Sequence, residues 1–512
     1  MPAAAQMEIG GNRAAITACA IVATLMQALD TTIANVSLPY MQGSLAASQD
    51  QIDWVLTSYI VAAAIMTPPT GFLAGRFGLK RLFLVAVGGF TIASMFCGMA
   101  QSVTQIVLFR VMQGGFGAAL VPLSQTVLLS SYPRERQGFA MALFGLGVMV
   151  GPVLGPVLGG WLTENYSWRW VFYINLPIGI LALAGIAVFL PESPRDSTAK
   201  LDWFGFGTLS IAIGALQIML DRGEQKDWFG SPEIIAAAIV AATMFYLFLV
   251  HTFTAEEPFV RPALFRDRNF AAGVLFASII GLTYYASMAL QPPYLQGLMN
   301  YPVVTAGLVM GPRGVGTMAS MLIVGRLVGR VDTRILLGIG LAFTAWSFAQ
   351  MTSWTPDVSQ AAIISVTMVQ GAGLGFLFVP LSAATLSTLP LNERTEGAGL
   401  YNLSRNIGSS VGISVVNAFL VENTQVNHAE IAQHVTAVNR AFESPAIAHS
   451  WNPLTAAGRA ALDAVITRQA QIIAFIDDYK LLLIATLAVI PLLMVFKKPA
   501  ARSTVEPIAV VK

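Results

Sequence analysis

Charge is scarce in this chain: Asp, Glu, Lys and Arg make up 11% of 512 residues, against 55% hydrophobic residues. With a mean hydropathy of +0.67 there is too little polar surface to clothe a water-soluble globule of this length, so the chain reads as an integral membrane protein. Cysteine is nearly absent. Cys19 and Cys97 both fall within apolar stretches, which excludes a disulfide framework or a metal cluster. His251, His428, His434 and His449 lack metal-ligand spacing. No phosphate-binding loop, catalytic Ser–His pair or paired intramembrane acids occur, so neither ATP drive nor enzymatic chemistry has support, and no cofactor is implied. The net charge of +2 forms no basic patch, which argues against nucleic acid as a partner.

What is abundant is the apolar run of about 18 to 25 residues, rich in Gly, Ala, Leu and Val, which suits membrane helices and not barrel strands. Fourteen spans are expected, at about 14–37, 54–74, 82–100, 104–128, 138–162, 169–190, 203–220, 233–253, 270–291, 303–325, 335–352, 360–386, 397–420 and 479–496. Alternate loops carry Arg76, Lys80, Arg81, Arg134, Arg136, Arg195, Lys200, Arg261, Arg266, Arg268, Arg326, Arg330, Arg334 and Arg394, with Lys497, Lys498 and Arg502 in the tail; the other loops hold far fewer basic residues. The positive-inside rule then places both termini in the cytoplasm. Residues 1–13 lack a compact apolar core with a cleavage site, so the first span is expected to remain uncleaved. The polar break Pro191–Asp202 reads as a hinge, and the outward segment Glu422–Asp478 reads as a partly helical platform or a plain loop. The basic turns GFLAGRFGLKR (Gly71–Arg81) and VGRLVGRVDTR (Val324–Arg334) suggest two parallel halves.

Asp30, in LDTTIANVSLP, is expected to be the only carboxylate deep inside an apolar stretch. An ionised carboxylate at the bilayer centre costs about 2.5 to 3.5 kcal/mol on insertion scales, and burial disfavours the charged form, so proton exchange is a reason to keep one there. A polar contact between helices is the plainer alternative. Asn35 stands five residues further on, off Asp30's face of a regular helix. Three cations also fall inside spans: Arg110, Arg313 in GPRGVG and Arg405 in NLSRNIGSS. Acid is too scarce to pair them all, so helix-end carbonyls or water are expected to satisfy most, with Arg110 the best placed to act on Asp30. Tyr284, Met288 and other aromatic or methionine residues read as core packing or as the lining of an adaptable cavity.

GPVLGPVLGG (Gly151–Gly160) sets Gly151, Gly155 and Gly159 at four-residue spacing, with Pro152 and Pro156 between them, a pattern for close helix packing and bending. It resembles the antiporter motif of the major facilitator superfamily. LFRVMQGGFGAAL (Leu108–Leu120) resembles that superfamily's fourth-helix motif, LDTTIANVSLP the first-helix motif of its fourteen-span drug:proton antiporters of the EmrB/QacA type, and WRWVFYINLPIG (Trp168–Gly179) the start of their sixth helix. GFLAGRFGLKR resembles the loop between helices two and three, except that the usual acid is Gly75.

The resemblance implies an all-α membrane protein of the major facilitator fold: a six-helix bundle at 14–190, a linker with two extra transmembrane helices at 191–269, a second six-helix bundle at 270–496 that includes the outer loop 422–478, and cytoplasmic tails at 1–13 and 497–512. It implies a multi-pass drug:proton antiporter of the cell inner membrane, exporting lipophilic small molecules, with membrane lipid around it. A periplasmic adaptor (an EmrA-like membrane fusion protein) and an outer-membrane channel are implied partners in a two-membrane cell. Proton coupling would fall to Asp30 and Arg110; substrate binding to Asn35, Gln113, Tyr284, Met288, Arg313 and Arg405; gating to Gly71, Arg76, Gly78, Lys80, Arg81, Gly151, Pro152, Gly155, Pro156 and Gly159. A proton-coupled exporter of one metabolite, siderophore or peptide would share these motifs.

Overall fold

The computed structural model describes residues 13–133, 136–193, 200–390, 393–436, 451–452 and 454–496, with the side chains at 49–50, 152–153, 156 and 303–304 outside that description. Most of both tails, Arg134, Arg195, the side chains of Pro152 and Pro156, and the middle of the 422–478 segment therefore lie outside the described residues. The rest is helical. One half comprises α1 (Arg13–Ser44), α2 (Gln49–Met66), α3 (Thr70–Phe77), α4 (Leu79–Met99), α5 (Val103–Gly117), α6 (Leu120–Ser131), α7 (Gln137–Asn165), α8 (Trp170–Tyr173) and α9 (Asn175–Phe189). Then come α10 (Trp203–Arg222) and α11 (Pro232–Thr254). The other half holds α12 (Arg268–Pro293), α13 (Val303–Met310), α14 (Pro312–Leu327), α15 (Thr333–Met351), α16 (Gln360–Ser387), α17 (Arg394–Gln433) and α18 (Ala456–Ala488).

Among the described residues, eleven helices are long and apolar enough to cross a membrane, or up to twelve if the bent pair α2–α3 is one span. The expected span 54–74 is thus not straight: α2 and α3 meet at 57°, across Pro68 and Pro69. The expected span 104–128 counts as one crossing, Val103–Ser131, with an irregular turn at Ala118–Ala119 between α5 and α6, where Pro122 cannot donate to the carbonyl of Ala118. α12 ends on Pro292 and Pro293 and passes into a single π turn, Tyr294–Leu298.

The sequence-based ends of the last two spans need correction. α17 runs 40 residues, about 60 Å at roughly 1.5 Å per residue and twice a bilayer core, and α18 starts 23 residues before the expected span at 479. Much of the outer segment is therefore a continuation of these two rods, tied together by His428 and Asp463 at 2.9 Å. Asp478, assigned to the outer loop by sequence, lies inside α18 and is fully buried, so Asp30 is not the only acid in the helical interior.

The halves share one apolar cluster near the end that carries the turns at Gly78 and Gly329, two glycines with φ of 89° in corresponding places. There Phe144 stacks on Phe378 at 6.1 Å, and Asn402 donates to Gln125 at 2.6 Å. Towards the opposite end each half keeps its own cluster, one built around Ile33, Cys97 and Phe172, the other around Leu290, Phe348 and Tyr479. The arrangement is sealed at one end and separate at the other. α10 runs between α2 and α17: Thr57 donates to Asp221, Gln217 donates to Ser410 at 2.9 Å, and Ser414 donates to the Leu220 carbonyl at 2.6 Å.

Asp202, the last residue of the expected hinge, is an anchor. It caps α10 by accepting from the Gly205 amide at 2.9 Å, and its other oxygen takes the Phe259 amide at 3.0 Å and the His251 ring at 2.9 Å. Burial opposes its ionisation, but these donors outweigh it and hold the carboxyl below the usual carboxylate range.

Candidate functional site

Asp30 sits at the middle of α1 with 0% of its surface exposed, and four helices converge on it. Arg110 of α5 donates from Nη1 to its Oδ2 at 2.6 Å; Gln113, one turn on, donates to Oδ1 at 2.7 Å; Asn175, the first residue of α9, donates to Oδ1 at 3.2 Å. Each partner is held in turn. Arg110, 1% exposed, also donates to Gln113 Oε1 at 2.8 Å and to the Val55 carbonyl of α2 at 3.0 Å, with its guanidinium 4.2 Å from the Tyr59 ring centre. Asn175 donates to Ser94 of α4 at 2.9 Å. A buried ion pair is tolerated only when its remaining hydrogen-bonding capacity is met, as it is here.

Small residues bring these helices close enough. A Cβ at Gly114 would collide with the Tyr59 carbonyl, so the glycine after Gln113 lets α2 lay Tyr59 under Arg110. On α7, Gly147, Gly151, Gly155 and Gly159 face α1: side chains there would strike Ile21, Ala28, Thr32 and Ile33. Thr32 fills the gap and donates to the Gly151 carbonyl at 3.1 Å. The glycine motif thus presses α7 against the helix that carries Asp30.

The second half repeats this frame with different chemistry. Gln370–Gly371 on α16 takes the part of Gln113–Gly114: Gln370 donates to Ser287 of α12 at 3.0 Å, where Gln113 reaches Asp30, and a Cβ at Gly371 would collide with the Arg313 carbonyl, where Gly114 meets Tyr59. Arg313 is 4% exposed, its guanidinium beside the Tyr284 hydroxyl and without a further polar partner among the described residues. Its guanidinium lies 5.7 Å from the Tyr284 ring, with Tyr479 also within electrostatic reach. Arg110 is met by Asp30, Gln113 and the Val55 carbonyl in the interior of α2, not by a helix end. Arg405, 9% exposed, faces Phe378 at 5.7 Å with two nitrogens unpartnered.

The family model described as Major Facilitator Superfamily matches residues 20–413. The chain belongs to this superfamily. It is 37% identical over 437 residues to the multidrug export protein EmrB of Haemophilus influenzae, covering 85% of this chain and 86% of that one. It is also 37% identical to the fatty acid resistance protein FarB of Neisseria gonorrhoeae, covering 83% and 84%. The solved proton:xylose symporter XylE shares the fold at a TM-score of 0.59, with 14% identity over 92% of this chain and 96% of that one.

Within this superfamily frame the other expected residues are dispersed. Asn35 is exposed and joins no contact with Asp30. Met288 is half-buried on α12 near Tyr284. Gly71 packs against the Glu396 backbone of α17, where a Cβ would come within 2.5 Å, while nothing lies within 4 Å of a Cβ at Gly75. Arg81 reaches Glu192 at 4.0 Å, both side chains more than half exposed. Glu396 is ion-paired to Arg261 at 3.5 Å, a contact across the sealed end that the sequence did not single out. Asn175, Ser94, Tyr59 and Gln370 were also missed. The signal for them was the isolated polar residue in an apolar run, with Asn175 already inside the WRWVFYINLPIG motif.

Proposed function

We propose that this chain is a proton-coupled multidrug exporter, a drug:proton antiporter that moves lipophilic toxic compounds out across the cell inner membrane. One observation carries the reading: a fully buried carboxylate in the middle of α1, gripped by Arg110, Gln113 and Asn175. The printed names of the relatives in Haemophilus influenzae and Escherichia coli, multidrug export protein EmrB, support the substrate range. Fourteen spans follow if α7, 29 residues long, and the first part of α17 are counted with the twelve. With the basic turns inside, both termini are cytoplasmic and the sealed end faces the cytoplasm.

A proton arriving from the outer side neutralises Asp30 and dissolves its charge attraction to Arg110. Arg110 keeps Gln113 Oε1, the Val55 carbonyl and the Tyr59 ring, so α5 stays attached to α2 while α1 loosens. Protonation thereby shifts the balance between two packings of the halves, and substrate binding shifts it the other way. Gly71, Arg76, Gly78, Lys80 and Arg81 supply the gating turn. Gln113, Tyr284, Met288, Arg313 and Arg405 contribute to binding, with Asn35 on the exposed side of α1. The projecting ends of α17 and α18 form the surface for a periplasmic adaptor. The test is ethidium efflux from proteoliposomes under an imposed pH jump: wild type should move dye against its gradient with counterflow of protons, and a wild-type protein that moves dye with no proton flux refutes the reading.

A further inference from the structure

Asp478 of α18 is a buried acid that a proton cycle built on Asp30 leaves idle. Its side chain is 0% exposed, and neither carboxyl oxygen has a hydrogen bond. α17 and α18 run antiparallel, and the contact between His428 and Asp463 sets their register so that Ile413 stands opposite Asp478. Residues 394–413 of α17 rise about 28 Å at roughly 1.5 Å each, so Asp478 lies near the outer edge of a hydrocarbon core about 30 Å thick. Among the described residues no cation offsets it there. On its own helix Lys480 is taken by Asp477 at 2.9 Å, Asp477 presents a like charge, and Tyr479 is a neutral phenol. The elements packed on α18 are α12, α15, α17, the π turn and the 3-10 turn Ile490–Val495. α12 and the π turn bring the phenols Tyr284, Tyr285 and Tyr294, with Arg268 at the far end of α12. α15 carries only Arg334, which donates from Nε to the Phe496 carbonyl at 2.9 Å. α17 has no charged residue between Arg405 and Glu422, and the 3-10 turn has none. Arg313 of α14 lies beside the Tyr284 hydroxyl instead.

A carboxylate ionised in such a place would have given up its water with nothing in exchange, which is strongly disfavoured, so this carboxyl is neutral and holds a proton in the packing described. Asp30 is the opposite case, an ion paired with Arg110 and met by Gln113 and Asn175. One packing therefore combines an empty proton site in the first half with a filled one in the second. We propose that Asp478 is a second proton-binding site, loaded from the outer side, so that each transport cycle carries a proton on Asp478 as well as one on Asp30. In the packing open to the cytoplasm, water reaching the carboxyl supplies the missing donors; the O–H bond breaks and the proton leaves on that water. The inference rests on the exporter reading above and adds the proton count to it.

Ethidium is a monocation, which makes the proton count electrical. Exchange for a single proton moves no net charge, whereas exchange for a pair of protons moves one positive charge inward. In proteoliposomes holding a fixed pH gradient, a potential of about 100 mV, negative on the cytoplasmic side, should therefore raise the limiting dye ratio of the wild type about forty-fold. Asp478→Asn keeps the shape of the neutral acid; it should still export dye on the pH gradient and show no response to the potential. Asp478→Glu should keep the wild-type response. In infrared spectra of the full chain in lipid nanodiscs at pH 7, the wild type should show a protonated-carboxyl band that Asp478→Asn lacks. An electroneutral wild type overturns the proposal, as does an Asp478→Asn variant that retains either the response to potential or the full carboxyl band. Wild-type dye movement that ignores the pH gradient sinks the exporter reading instead.

Discussion

Asp30→Asn keeps the shape of the side chain and removes its charge, so its effect can be worked from the geometry. The variant leaves Arg110, 1% exposed, with the Val55 carbonyl at 3.0 Å and Gln113 Oε1 at 2.8 Å but no anion. Removing one partner of a buried pair costs about 3 to 5 kcal/mol, because the surviving charge stays desolvated. Replacing both partners, as in Asp30→Asn with Arg110→Met, removes that stranded charge, and the double variant should regain on the order of 3 kcal/mol over Asp30→Asn alone. Stability is read from denaturant unfolding of the detergent-solubilised protein, and coupling from proton uptake by proteoliposomes during dye efflux. Both variants should insert, and neither should couple. Full proton-coupled efflux by Asp30→Asn would refute the mechanism; a double variant no more stable than the single one would refute the energetic account of the pair.

Other substitutions test the frame around the site. Gly155→Val drives a side chain into Thr32 and should lower expression and thermal stability markedly, whereas Gly160→Ala, with nothing within 4 Å, should match wild type in the same melting assay. Gly78→Ala forces an L side chain to φ of 89° and should destabilise by about 1 to 2 kcal/mol in unfolding experiments, without touching Asp30. Asp202→Asn should cost about 1 kcal/mol at pH 7, because the cap is kept but the charge that faces the Gly205 and Phe259 amides and the His251 ring is lost. Because the folded carboxyl lies below its ordinary range, that contribution is complete above the ordinary value and vanishes as pH falls through the folded one. Melting curves of wild type and variant should therefore converge in acid. Deleting residues 425–470 should reduce extrusion to the medium in cells while sparing transport in vesicles; equal loss in both would assign the segment to folding.

The buried cluster around Asp30 was legible to the extent that burying its groups is expensive. A carboxylate and a guanidinium in apolar runs stand out, so the sequence singles out Asp30 and Arg110, whereas Gln113 enters only through the resemblance of its motif and as a candidate for substrate binding. Asn175 and Ser94 gave only a weak signal as isolated polar residues, because an amide or hydroxyl in a membrane helix is common and often bonds to its own backbone, as Thr24 does to Ala20. Asn35 failed for a geometric reason: five residues at about 100° each put it about 140° around the helix from Asp30. Asp478 escaped notice because α18 continues through the acidic pair Asp477–Asp478 without a break, and a hydropathy reading places the membrane boundary at such a pair. The helical class was plain from composition. The broken rods were less so, since the prolines at 68, 69 and 122 say that a helix bends without giving the angle.

α10 has a consequence for how the two halves can part. Two vertical seams divide the halves, one beside α2 and α17, the other where α7 meets α14. The first is stitched by Thr57, Gln217 and Ser414, so α10 stands across it like a jamb. Among the described helices, none stands across the α7–α14 seam in this way. Its packing is close low down, where a Cβ at Gly325 would come within 2.6 Å of Ala142, while above it the described apolar residues fall into a separate cluster in each half. The two flanks are therefore unlike: one seam is latched by polar side chains through a helix that belongs to neither bundle, the other is held by glycine-backed packing of α7 on α14.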